Sequence, residues 1–303
     1  MKIKETVSAP IFALLIYILL LVSRVFDISS FSDVGNVYLA VVVLQLVVFA
    51  VPALVYAKLK GEGYAKKLRL SPPRPEAMIC VFVAAVLLIS GEMLIRIGME
   101  RFVSFSDGFS LYGAYAATGA DGIGSALYVI FAFALIPAVC EEFVFRSIMI
   151  AEYESCGVVC AVAASSILFS AMHFDLVRAP IYLFSGVVLA MTLYMTRSTL
   201  AVMIVHFIYN MFGLFGQKYI NAFYETTGSE ELFVFLLAVI FLLFLIFFFG
   251  EAGRLYESYS KKSDPAPYLV PKKEKRGKIV EALFSPIFLL CILLFVAVAV
   301  GLD

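Results

Sequence analysis

Long apolar runs separated by shorter polar segments recur along the whole chain. Each run is close to the ~20 residues that a helix needs to cross ~30 Å of hydrocarbon. The runs lack the polar and apolar alternation that is typical of membrane β-barrel strands, and backbone groups in lipid must be satisfied within their own segment. We therefore predict an all-α fold, a polytopic transmembrane helix bundle of about nine spans, or eight. The runs lie near residues 9–28, 37–58, 77–98, 122–150, 157–174, 178–196, 199–216, 232–250 and 283–302.

Composition supports a membrane protein and excludes an ordinary soluble domain. Of the 303 residues, 63% are hydrophobic and 15% are charged, whereas soluble domains are typically about 45–50% apolar and 25% charged. The net charge is zero and says nothing about orientation, which depends on where lysine and arginine lie.

Lysine and arginine are concentrated in the segments 59–76 and 251–279. Because cytoplasmic loops carry an excess of these residues, we predict that both segments are cytoplasmic. With nine spans, the N-terminus is then cytoplasmic and the C-terminus lies outside. We also predict a single membrane domain over 1–303, in which a basic cytoplasmic loop at 251–279 precedes an accessory C-terminal helix at 283–302.

The fourth apolar run contains the most unusual polar residues of the chain. Pro137 precedes Glu141 by four residues and frees a backbone carbonyl one turn earlier, which predicts a bend beside the glutamates. Glu142 and Arg146 are spaced i,i+4 and share a helix face, so we expect an ion pair between them. Glu141 is then left to face a cavity, where a carboxylate suits a general base.

The chain has only two histidines, and each has a partner one helical turn away. His206 and Asn210 place an imidazole and a carboxamide on one stripe, and such donors stabilise a developing oxyanion in a site that excludes water. Phe169 and His173 add an aromatic wall and a second imidazole. Ionisable residues inside a membrane are costly, so this set predicts a functional site.

The depths of these residues are the main obstacle to their meeting. At ~1.5 Å of rise per residue, straight helices would place Glu141, His173 and His206 over a spread of roughly 14 Å. Tilted or bent helices can absorb this spread. The small residues of the fifth run, AVAASSILFSA, permit the close helix packing that it requires.

Three short motifs occur in order within a core at 122–216: EExxxR at Glu141, Glu142 and Arg146, FxxxH at Phe169 and His173, and HxxxN at His206 and Asn210. In these motifs the chain resembles the CAAX protease and bacteriocin-processing (CPBP/Abi) family of intramembrane glutamic endopeptidases, which is related to the type II CAAX prenyl endopeptidase. The order and the use of both histidines make the resemblance specific, although it covers only about a third of the chain.

The resemblance implies a role for each matched residue. Glu141 would activate water with support from Glu142 and Arg146, and His173 would position that water. His206 and Asn210 would form the oxyanion hole, while Phe169 would contact the substrate. The expected partners are a peptide or protein substrate and the lipid bilayer, with no nucleic acid, and the expected location is the plasma membrane of a prokaryote. No cofactor is required by this mechanism.

Three alternatives remain at the level of sequence. In a zinc-dependent version of the same protease, Glu141, His173 and His206 would supply three ligands and leave a fourth position open; the absence of an HExxH motif disfavours it. A non-enzymatic membrane scaffold or immunity protein would keep the polar residues for helix packing alone. A proton-relaying transporter is disfavoured because no inverted repeat is visible.

Overall fold

A computed structural model describes residues 5–24, 34–103, 123–262 and 272–301, and it confirms the all-α prediction: these residues form helices and their connections, without strands. The helices are α1 (Glu5–Ser23), α2 (Val34–Gln45), α3 (Val51–Leu59), α4 (Tyr64–Lys67), α5 (Met78–Glu100), α6 (Ile123–Val129), α7 (Ile136–Glu142), α8 (Ile150–Tyr153), α9 (Val158–Ala171), α10 (Ala179–Thr196), α11 (Thr199–Phe215), α12 (Gln217–Thr227), α13 (Glu230–Lys261), α14 (Lys272–Leu283) and α15 (Pro286–Gly301).

The protein is an integral membrane protein with several spanning helices. Within the described residues, five helices are long and apolar enough to cross a membrane, or seven if each of two bent helix pairs forms one span. Large apolar side chains of α13 point outward, such as Ile246, which is 67% exposed. Outside a membrane, apolar surface of this extent is rare on a monomer.

The predicted number of spans is higher because two of the predicted runs form short helices. The apolar part of α1, Val7–Ser23, and the whole of α9, Val158–Ala171, each have fewer than 18 residues. The 14 residues of α9 reach only about 21 Å at 1.5 Å per residue, less than the ~30 Å of a hydrocarbon core. The number of apolar runs in the sequence is therefore higher than the number of helices that are long enough to span a membrane.

The span Ala126–Cys156 is interrupted on both sides of the glutamates by wider helical turns. The segments Ile130–Leu135 and Phe143–Met149 are π-helical and flank α7. Pro137 lies in the first turn of α7, where it has no N–H to donate to the preceding turn. Such wide turns frequently occur at functional sites, because they redirect the side chains that follow.

Helices α9 and α10 pack closely against each other. Gly186 of α10 approaches Ser166 so closely that a Cβ at this glycine would lie 2.9 Å from the Ser166 Cα. The Ser170 hydroxyl donates to the carbonyl of Ala179 at 2.8 Å and ties the start of α10 to the end of α9. Small side chains thus allow the close approach that the sequence of the fifth run predicts.

Hydrogen bonds between helices fix α9 against its other neighbours. Ser165 donates to the Phe145 carbonyl at 2.8 Å, and Tyr17 of α1 donates to the Leu168 carbonyl at 2.6 Å. Buried hydroxyls require such partners in an apolar interior. Helix α9 is thereby held between α1 and the span that carries the glutamates.

Helices extend into both ends of the segment 251–279, which the sequence predicts to be a basic cytoplasmic loop. Residues 251–261 continue α13, and residues 272–279 belong to α14, while 263–271 lie outside the described residues. Helix α13 extends because its charges form pairs at helical spacing, Glu251 with Arg254 and Glu257 with Lys261. Polarity alone therefore did not mark the end of this helix.

Candidate active site

The two glutamates and the arginine of EExxxR are buried in the middle of the span Ala126–Cys156. Glu141 is 9% exposed, Glu142 is fully buried and Arg146 is 1% exposed. The π-helical turn Phe143–Met149 carries Arg146 directly after the glutamates. Three ionisable side chains buried together require partners for their charges.

Glu142 is the centre of this charge network. Its Oε1 accepts a hydrogen bond from Arg146 Nη1 at 3.0 Å and another from His206 Nδ1 at 2.7 Å. The ion pair that the sequence predicts between Glu142 and Arg146 is thus confirmed. Arg146 also donates through Nη2 to the carbonyl of Gly186 at 3.3 Å and lies 4.2 Å from the centre of the Phe169 ring.

Glu141 differs from its neighbour because its carboxyl group forms no hydrogen bond or ion pair with the described residues. Its ionisable neighbours are His206, Glu142 and Arg146. Successive helical residues point about 100° apart, and only Glu142 faces the arginine. The carboxyl of Glu141 is therefore available to act on a substrate or a water molecule.

His173 lies just beyond the end of α9 and is oriented by a backbone carbonyl. Its Nδ1 is 2.9 Å from the carbonyl oxygen of Phe169, and a carbonyl only accepts, so Nδ1 carries the proton. In the neutral ring Nε2 then has a lone pair, and no described residue hydrogen-bonds it. The imidazole can accept a hydrogen bond from water at that nitrogen.

Phe169 lies among the other site residues. Its ring centre is 5.1 Å from that of His173 and 6.2 Å from that of His206, both with edge-to-face geometry. One further ring, Phe145, packs against it at 5.4 Å. Only 3% of Phe169 is exposed, so this side chain connects the two histidines and the arginine from within the core.

Asn210 lies one turn after His206 on α11, and both side chains are buried. Its Nδ2 donates to the carbonyl of Ala134 at 3.3 Å. Ala134 belongs to the π-helical turn Ile130–Leu135, and this turn thereby helps to orient the carboxamide. A carboxamide nitrogen carries two protons, which leaves one N–H for another acceptor.

Residues of the three motifs contact one another despite the different depths that straight helices predict for them. His206 reaches Glu142 at 2.7 Å although the two are 64 residues apart in sequence, and Phe169 contacts both histidines. The predicted spread assumes regular, full-length helices, whereas α9 has only 14 residues and π-helical turns flank α7. The structure thus brings the three motifs to one place.

Residues 123–212 match the family model Type II CAAX prenyl endopeptidase Rce1-like. The match confirms the predicted resemblance over this Rce1-like segment, which contains all three motifs and lies within the predicted core. Neither the comparison with curated proteins nor the comparison with solved structures finds a match. The helices outside the Rce1-like segment have no counterpart in these comparisons.

The donor set of the Rce1-like segment does not fit a metal ion. Among the described residues, no three or more His, Cys, Asp or Glu side chains are grouped so that they could hold one. The zinc-dependent alternative requires Glu141, His173 and His206 to converge on a single ion. No such convergence is present among the described residues.

Sequence reasoning missed the residues that the sixth run contributes to the Rce1-like segment. Tyr182 of α10 stacks on His173 with ring centres 3.7 Å apart, and Gly186 supplies its carbonyl to Arg146. These two residues are spaced i,i+4 and so lie on one stripe. That spacing was the available signal, but a tyrosine and a glycine in an apolar helix are common enough to pass unnoticed.

Proposed function

We propose that this protein is a CAAX-type intramembrane endopeptidase in which Glu141 activates the attacking water. The match of residues 123–212 to a prenyl endopeptidase family supports the reaction class. One observation carries the assignment of the base: Glu142 is engaged by Arg146 and His206, whereas Glu141 is left without a hydrogen-bond partner among the described residues.

In the proposed reaction, His173 Nε2 accepts a hydrogen bond from water and Glu141 removes the other proton as the oxygen attacks the scissile carbonyl. The carbonyl oxygen becomes an oxyanion. When the tetrahedral intermediate collapses, the C–N bond breaks and the leaving nitrogen takes the proton back from Glu141. Each step uses a proton acceptor or donor whose free atom is identified in the site.

His206 and Asn210 are proposed to hold the oxyanion. Because Nδ1 of His206 donates to Glu142, Nε2 is the nitrogen that remains, and it donates only when both ring nitrogens are protonated. Asn210 adds the N–H that Ala134 does not use. Such preorganised donors in a site that excludes water commonly contribute about 10²–10³ to kcat.

Phe169 is proposed to act mainly by packing, with any substrate contact limited to the small exposed part of its ring. Its contacts with Arg146 and both histidines support this interpretation more directly than a role as an open substrate wall. A prenylated peptide serves as the test substrate.

The reaction is tested with protein reconstituted in liposomes and a peptide that ends in a farnesylated cysteine, two aliphatic residues and one further residue. Mass spectrometry of the products should show release of the C-terminal tripeptide by the wild type and none by Glu141→Ala. The same peptide without the farnesyl group tests whether the lipid is required.

The scaffold hypothesis predicts a different result. If the wild type cleaves neither peptide, and if Glu141→Ala restores a cellular deletion phenotype as well as the wild type does, the polar residues act only in packing. Equal membrane levels of the two proteins, measured by immunoblot, are the necessary control.

A further inference from the structure

We propose that Tyr182 is a positioning residue that fixes the plane of the His173 imidazole and thereby the direction of Nε2. This inference rests on the proposed function, because Nε2 is the atom assigned to the attacking water. Tyr182 lies outside the three motifs, on α10.

The two rings form a tight parallel stack. Their centres are 3.7 Å apart and their planes differ by 11°, which is ring contact over most of one imidazole face. Phe169 meets the same imidazole edge-on, at 5.1 Å and 74°. Stacked and edge-to-face arrangements are both favourable for aromatic rings.

Ring stacking and the hydrogen bond from Nδ1 constrain different motions of His173. The hydrogen bond to the Phe169 carbonyl fixes the position of Nδ1, but the plane of the imidazole can still tilt around that atom. Tyr182 blocks the tilt because it covers one face of the ring. Together they leave one orientation for the ring plane and therefore one direction for the Nε2 lone pair.

Helix α10 holds Tyr182 in place from both ends. One turn after it, Gly186 packs against Ser166 and accepts from Arg146. At its other end, Arg178 is a charged neighbour of Tyr182. Arg178 is itself bound to Asp175 through its backbone N–H, at 2.8 Å. The position of the tyrosine ring therefore depends on how α10 packs and not only on its contact with the imidazole.

Positioning of this kind acts on the rate of the chemical step more than on substrate binding. A reacting group that is misplaced by about 1 Å can lose about 100-fold in rate. Tyr182→Leu removes the ring but keeps an apolar side chain, and we expect its kcat to fall about 10- to 100-fold with little change in KM. Tyr182→Phe keeps the ring and should retain kcat within about threefold, since the stack itself remains.

A spectroscopic test follows from the histidine count and needs no substrate. The chain has only two histidines, so ¹³C labelling of histidine at Cε1 alone gives two imidazole C–H signals, one per ring, by NMR in detergent micelles. The variant His206→Gln keeps only the His173 signal and assigns the pair. Protons over an aromatic face resonate upfield. Tyr182→Leu should therefore move the His173 signal downfield and leave the His206 signal in place. Tyr182→Phe should move neither signal.

The two measurements separate the possible outcomes. An unmoved His173 signal in Tyr182→Leu contradicts the stack, and a moved signal with unchanged kcat contradicts the positioning role. A wild type that cleaves no peptide overturns the proposed function, and the catalytic part of this inference with it, whatever the NMR shows. A moved His173 signal together with a lowered kcat in Tyr182→Leu, both absent in Tyr182→Phe, is the expected result.

Discussion

Glu142 and His206 are joined by a buried hydrogen bond of 2.7 Å between Oε1 and Nδ1, across 64 residues of sequence. The same oxygen accepts from Arg146. One carboxylate thus orients a histidine from another helix and balances a buried guanidinium. This arrangement divides the two adjacent glutamates into one that supports the site and one that is free to react.

Removal of the Glu142 charge should destabilise the protein. In Glu142→Gln, Arg146 loses the carboxylate that pairs with it in the described part of the chain and stays buried, and breaking a buried pair from one side is strongly unfavourable. We expect the melting temperature in detergent to fall by about 5 °C or more. Differential scanning fluorimetry measures this directly.

Glu257→Gln is the matched control for this variant. Glu257 and Lys261 form an i,i+4 pair like that of Glu142 and Arg146, but both side chains are more than 60% exposed. Exposed pairs contribute little to stability, so this variant should melt with the wild type. Equal melting shifts in the two variants would show that Glu142 is not the centre of a buried network.

Gly186→Ala should separate α9 from α10. The added Cβ would lie 2.9 Å from backbone and side-chain atoms of Ser166, and a backbone cannot yield as the end of a long side chain can. We expect lower stability, by about 1–3 kcal/mol, and lower kcat because α10 carries the carbonyl that binds Arg146. Thermal unfolding and peptide cleavage test the two parts.

A second helical glycine separates crowding from the general effect of the substitution. Gly98 lies in α5 with nothing within 4 Å of the position of an added Cβ. Alanine is the better helix former by about 1 kcal/mol, so Gly98→Ala should be as stable as the wild type or more so. If Gly186→Ala behaves in the same way, the close contact with Ser166 is not real.

The sequence predicts the helices well because the apolar runs are long, as in residues 232–250 of α13, which contain no polar side chain. It predicts their lengths less well. The end of α9 depends on a turn at Phe174, which has a positive φ of 51°, and the extension of α13 past residue 250 depends on charge pairs that resemble a polar loop. Local composition predicts neither the end of α9 nor the extension of α13.

Asn210→Ala should lower kcat about 10²- to 10³-fold with little change in KM, because an oxyanion donor acts on the transition state. Asn210→Asp keeps the size of the side chain but replaces the NH₂ donor with an acceptor, and it should lose as much. The exposed Asn221→Asp on α12 is the control. Steady-state kinetics on the farnesylated peptide decides; a raised KM with unchanged kcat would place Asn210 in substrate binding instead.

Prolonged dialysis against a chelator should leave the cleavage rate unchanged. The described histidine, cysteine and carboxylate side chains form no group of three that could hold a metal ion. Elemental analysis of the dialysed sample confirms that zinc is removed. Loss of activity that returns when zinc is added would support the zinc-dependent alternative.

For the site, the sequence identifies polar residues because they are rare in an apolar chain, and helical spacing correctly pairs Glu142 with Arg146. It does not predict which glutamate His206 contacts, since that depends on how α11 packs on α7. The π-helical turns on both sides of α7 could not be predicted either, because the sequence pattern of a π-helical turn differs little from that of an α-helix. Tyr182 is missed because a contact between two helices leaves no local pattern.

The most direct test of the account is the cleavage rate of Glu141→Gln, compared with the wild type in the same liposomes. Glutamine keeps the size of the side chain but cannot accept the proton from water, and Glu141 forms no hydrogen bond or ion pair with the described residues that the change would break. The account predicts a rate at least about 10³-fold lower, within the range that general-base catalysis contributes, and an unchanged melting temperature. A stable Glu141→Gln protein that cleaves within about tenfold of the wild-type rate would contradict the role of Glu141 as the base.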